Sequence, residues 1–140
     1  MRLALALCLL AAPALADEVW TSEFGDIIYE RDTADYKAVL SVPAIALNGM
    51  TAANARGQVM IYNLTNNVSD RYGIFEGYWT APGEPTCDAA LMPPGGKASR
   101  SWGRVQVIFD RPGFPSGFTM LFGTCFWDPA YSLRAEAFAG

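Results

Sequence analysis

The residue types that usually carry chemistry are scarce in this chain. It has no histidine, and its three cysteines stand at positions 8, 87 and 125. Without histidine there can be no Ser-His-Asp triad, no Cys-His dyad and no imidazole-bound zinc. Any catalysis would have to run on carboxylates, tyrosine or arginine. Glu23, Asp26 and Glu30 are close enough in sequence to share a metal ion. Their neighbours read as strand and turn, so a solvated acidic edge is the expectation and a metal site is not. Glu76 and Arg104 fall on neighbouring strand-like runs and read as a surface charge pair. No pair of acids has support for glycosidase geometry. The expectation is a chain with no catalytic residue, no metal and no cofactor.

The cysteines make sense once the first 16 residues are read as a secretion signal. Arg2 supplies the positive end, Leu3 to Ala12 the apolar core, and Ala14-Leu15-Ala16 the small-x-small cleavage site. The apolar stretch is too short to span a bilayer and no later stretch is longer, so no membrane anchor is expected. Cleavage after Ala16 would remove Cys8 and leave Cys87 and Cys125, an even pair in an exported chain, which reads as a disulfide. On the chain-entropy model such a bridge contributes roughly 4 kcal/mol. The expected location is periplasmic or extracellular. The mature chain, residues 17–140, carries nine basic against fourteen acidic residues and no basic cluster. Nucleic acid and anionic lipid are therefore poor partners.

The elements that must position these residues are short strands. Three runs dominate: Tyr72 to Thr80, Trp102 to Asp110 and Gly117 to Trp127. Strand side chains alternate with period two, so matching apolar faces fixes the pairing. Phe109 then lies opposite Phe118, Val107 opposite Met120 and Val105 opposite Phe122. Asp110 to Ser116, rich in proline and glycine, supplies the hairpin turn. The same register carries Trp102 towards Cys125. The first run, antiparallel to the second, brings Trp79 to that end, with Cys87 in the joining loop. Three tryptophans, Trp79, Trp102 and Trp127, thus gather at the end away from the turn.

Upstream, strands are expected over Val19 to Phe24 and Ile27 to Arg31, joined at Gly25-Asp26, and over Tyr36 to Val42 with Tyr36, Ala38, Leu40 and Val42 on one face. Ala44 to Arg56 suits an irregular loop with one helical turn at most. Gly57 to Leu64 is a strand apolar on both faces, which leaves its inward side open. Asn63-Leu64-Thr65 and Asn67-Val68-Ser69 match the glycosylation pattern, for which coincidence in a polar loop is the preferred explanation. Tyr131 to Phe138 closes the count at eight strands, without an amphipathic helix of ten or more residues. Eight strands suit an all-β, single-domain, antiparallel up-and-down barrel, with a two-sheet sandwich as the alternative.

The rhythm of Gly77-Tyr78-Trp79, Cys87, Trp102-Gly103-Arg104 and the run from Phe118 to Trp127 resembles lipocalin- and avidin-like barrels over about half the chain. Trp20 follows Glu18 and Val19, so the lipocalin Gly-x-Trp motif is absent and no family binding residue carries over. The resemblance implies a small exported barrel that holds a ligand. Barrels of this shape also include inhibitors of proteases and lysozymes.

Phe75, Trp79, Val105, Val107, Phe109, Phe118, Met120 and Phe122 either pack a core or line a pocket. The glycines at 73, 77, 103 and 123 remove volume from the same strands. The expectation is a shallow apolar pocket at the tryptophan end, built from Trp79, Trp102, Trp127, Phe75 and Phe122, with the turn end closed. The expected partner is a small apolar molecule or another exported protein. The alternatives are a secreted protease or lysozyme inhibitor acting through Ala81 to Ser99, and a barrel isomerase or cyclase.

Overall fold

The computed structural model describes residues 18–35, 37–64 and 70–138. The segment read as a secretion signal, Tyr36, and residues 65–69 of the glycosylation patterns lie outside the described residues. Eight antiparallel strands form one closed sheet in sequence order: β1 (Val19–Ser22), β2 (Gly25–Asp32), β3 (Lys37–Pro43), β4 (Arg56–Tyr62), β5 (Ile74–Thr80), β6 (Trp102–Phe109), β7 (Phe118–Phe122) and β8 (Tyr131–Ala137). Trp20 pairs with Ala137 and Thr21 with Glu136, which seals β1 to β8 and excludes the sandwich. Closure leaves no unpaired sheet edge.

The register read from alternation holds. Val105 faces Phe122, Val107 faces Met120 and Phe109 faces Phe118 across β6 and β7. Trp79 pairs with Gly103 and Thr80 with Trp102 across β5 and β6. Ala38, Leu40 and Val42 of β3 point into the core with Val59 and Ile61 of β4. The β4 ambiguity has a physical cause. Met60 points outward yet is buried, in register with Tyr78 of β5. Val39, its partner on β3, is buried on the same outer side.

That outer layer is covered by the connection from Ala81 to Ser101, which runs along the wall. Trp102 Nε1 donates to Ala89 O at 2.8 Å, and Arg31 donates to Pro94 O at 2.6 Å. Cys87 and Cys125 are bonded, with sulfurs 2.07 Å apart, so this connection is stapled to the one after β7.

The up-and-down topology sorts the connections. The turn 23–24 and the segments 44–55, 81–101 and 123–130 gather at one end, and α1 (Ala44–Asn48) lies in the first of those three segments. The end of β8, the beginning of β1 and the described residues 33–35, 63–64, 70–73 and 110–117 sit at the other. The third sequence run is shorter than its apolar pattern suggests. β7 stops at Phe122, Gly123 N donates to Arg104 O, and the chain turns back through Cys125 at φ +56° to meet Trp102.

Candidate functional site

The barrel interior is filled. At the 110–117 end Trp20 packs edge-on against Phe118 with ring centres 5.1 Å apart, and Phe109 lies 5.4 Å from Phe118 and 6.1 Å from Phe75. Trp20 Nε1 is satisfied by Ser116 O at 2.8 Å. Val107, Met120, Leu133, Leu40 and Ile61 occupy the middle, all buried. Packing of this kind is a core and not a ligand chamber.

The closed end is capped by Arg71, a residue that sequence reasoning passed over. Its side chain is almost wholly buried and its guanidinium sits 4.9 Å from the Phe109 ring centre. Two parallel bonds of 2.9 and 2.8 Å tie it to the Glu18 carboxylate, and its backbone N–H donates to Pro112 O. Beside it a bulge in β2 after Tyr29 turns the Tyr29 hydroxyl onto the Asp32 carboxylate, to which it donates. Burial, and then that carboxylate, push the Tyr29 hydroxyl well above the ordinary tyrosine range.

The opposite end is open. A cleft of about 380 Å³ lies between α1, the 81–101 connection and the segment after β7. It bottoms on Trp79 and Phe122, both nearly fully buried. Ala46, Leu47 and Asn48 line it from α1, and Thr124 and Tyr131 from the other side. The helix is held where it is by local chemistry. Gly49 at φ +74° caps it by donating its N–H to Ile45 O, and the Asn48 amide donates to Pro82 O and to Ser101 Oγ at 2.8 and 3.0 Å. Leu47 comes so close to β4 that a Cβ at Gly57 would lie 2.6 Å from its methyl carbon.

The sequence reading placed five side chains in a pocket at this end, and the structure distributes them differently. Trp79 and Phe122 meet at the cleft floor. Trp102 points outward, against Tyr78 and Phe126 with ring centres 6.1 and 4.8 Å away, because it shares its strand face with Arg104 and Gln106. That parity was available in the sequence. Trp127 stands in solvent at 73% exposure, and Phe75 packs on Phe109 towards the closed end.

The strand glycines do not open the pocket that their small size suggested. A Cβ at Gly77 would lie 1.8 Å from Met60 O, and one at Gly103 would lie 1.8 Å from Gly123 O and 2.5 Å from Trp79 Nε1. These glycines admit backbone and indole at close approach, and they do not open a cavity. Trp79 Nε1 donates to Gly123 O at 2.7 Å across that contact.

Arg104 bonds Asp128 at 2.8 Å, while Glu76 receives Gln106, so the expected Glu76–Arg104 pair does not form. Among the described residues no three acids or cysteines come together as a metal-holding group. Missed by sequence reasoning were the α1 residues and Tyr131 at the cleft, since a five-residue helix leaves too few positions to show a period. Comparison with protein-family models, curated proteins and solved structures returned no match.

Proposed function

We propose that this protein is an exported, non-enzymatic binding barrel that takes a small apolar molecule at its tryptophan end. The observation that carries the reading is the half-open cleft of about 380 Å³ above Trp79 and Phe122, at the end of a filled barrel where the two longest connections, 44–55 and 81–101, gather. That volume falls within the range of small-molecule sites, and loops on a rigid scaffold are where binding residues concentrate. The Cys87–Cys125 bond fits an oxidising compartment and fixes two of the three segments around the cleft.

The isomerase or cyclase alternative has little to work with, since Tyr131 is the one titratable side chain among the lining residues. An inhibitor acting through 81–99 would need a projecting segment. Here that segment is pinned to the wall at Ala89 and Pro94. A second reading has its own support. Phe126 and Trp127 are 66% and 73% exposed on a segment clamped by the disulfide, which suits an anchor for a protein partner.

Titration with Nile red, an uncharged dye that brightens in apolar sites, tests the ligand reading. One dye should bind per chain, and Ala46→Phe should weaken binding by about tenfold or more by filling the cleft. Thr124→Phe does the same from the other side if the first variant folds poorly. Absence of dye binding, or unchanged affinity in a folded filled-cleft variant, refutes the ligand reading and moves the protein-partner reading ahead.

A further inference from the structure

We infer that the cleft selects uncharged molecules with an apolar body and one hydrogen-bonding head, the head lying against Thr124 and Tyr131; this rests on the ligand reading above. No lining residue carries a charge. Of the charged residues on the flanking segments, Asp128 is solvent-exposed and already bonded to Arg104 at 2.8 Å, and Arg100, beside Ser101, is turned onto Cys87 O at 2.8 Å. A carboxylate or ammonium entering the cleft would lose water and gain no counter-ion, a cost that an alcohol, ketone or amide escapes.

The polar lining then divides into used and unused groups. The Asn48 amide donates to Pro82 O and Ser101 Oγ and accepts from Met50 N–H at 3.1 Å. Ser101 is buried and accepts that Asn48 bond, and the Thr86 hydroxyl is turned towards Arg100 O at 3.4 Å. The side-chain hydroxyls of Thr124 and Tyr131 have no protein partner among the described residues. Both can donate and accept, so both can serve a hydroxyl or carbonyl. Tyr131 is exposed at the lip and touches the floor on one side, with its ring centre 5.6 Å from that of Phe122. The apolar body of the ligand therefore goes down to Trp79 and Phe122, and its head stays at the lip.

Calorimetric titration with four probes that share one naphthalene body tests this. Naphthalenemethanol should bind at least about tenfold more tightly than naphthoate or naphthylmethylammonium. Thr124→Val and Tyr131→Phe should each weaken naphthalenemethanol by about threefold to tenfold and leave methylnaphthalene unchanged. If methylnaphthalene binds but the charged probes bind as well as the alcohol, or the two variants leave the alcohol-to-methyl ratio unaltered, the selectivity is wrong and the ligand reading survives. If none of the four binds, both fall.

Discussion

Arg71→Met should be the most informative change at the closed end. The substitution keeps much of the side-chain volume and removes the charge, so its cost reports on the Glu18 carboxylate left behind. Glu18 has 12% side-chain exposure and takes both of its bonds here from Arg71. An ion pair broken this way typically costs 3–5 kcal/mol, because the remaining charge is desolvated and unpaired. The contact with the Phe109 ring, 4.9 Å away, adds about 0.5–2 kcal/mol, partly returned by methionine against the same ring. One feature works against the native pair. Arg71 Nε is buried with no hydrogen-bond partner among the described residues, so the guanidinium is not fully satisfied by them.

The expected loss for Arg71→Met is therefore about 3–4 kcal/mol, a large part of the ~5–15 kcal/mol that stabilises a domain. Glu18→Gln combined with Arg71→Met should cost much less than Arg71→Met alone, since neither variant position then holds a buried charge. Urea unfolding followed by tryptophan emission gives all four corners of the cycle, with Trp20 close enough to Phe109 to sense this end. A loss below about 1 kcal/mol for Arg71→Met, or a double variant as unstable as the single, would refute the plug.

Three further changes test the wall and its chemistry. Val107→Asp should cost more than about 4 kcal/mol by burying an unpaired carboxylate, whereas Gln106→Asp, facing Glu76 on the outside, should cost about 1 kcal/mol; equal urea midpoints would put the strand inside out. Gly103→Ala should cost about 1–3 kcal/mol of stability or more and redden tryptophan emission, since its methyl would displace Gly123 O from the Trp79 indole; an unchanged urea midpoint overturns the close-approach account. Tyr29 is neutral when folded, and its hydroxyl is raised above the ordinary value of 10.0. Above that pH the unfolded chain gives up a proton that the folded chain keeps. Its share of stability is thus complete below pH 10 and declines by about 1.4 kcal/mol per unit above it. Tyr29→Phe should flatten the alkaline limb of stability against pH, and an identical limb in both proteins would refute the assignment.

What could be read from the sequence was what repeats with period two. The pairing of β6 with β7, the arrival of Trp79 at the Trp102 end and the nearness of Cys87 to Cys125 all follow from alternation and hairpin geometry. What could not be read were contacts with no period. Arg71 sits between Asp70 and Tyr72 in a polar connection, and nothing in its neighbours says that it turns inward onto Phe109. β4 was ambiguous because both of its faces are buried, Val59 and Ile61 inside and Met60 outside. An outer apolar layer breaks the rule that strands in a small barrel show one wet face, and sequence alone does not say which segment will cover it.

That outer layer also explains why tryptophan count misled the reading of the site. Three tryptophans at one end suggested one pocket, yet the end of a barrel has an inside, an outside and a rim, and each environment takes an indole for a different reason. Trp79 fills the inside and donates to Gly123 O; Trp102 fills the outside and donates to Ala89 O; Trp127 makes neither contact and stays in solvent. Satisfied indole N–H groups mark the first two as packing residues, because a buried donor must find an acceptor. Around the cleft, the hydroxyls of Thr124 and Tyr131 have no protein partner among the described residues, and the ring of Trp127 is exposed nearby in the sequence. They all lie on the segment between β7 and the start of β8, which the disulfide holds against the wall. On the ligand reading proposed above, the site is defined by which polar groups the fold leaves unspent, and which groups those are depends on tertiary contacts and not on residue type.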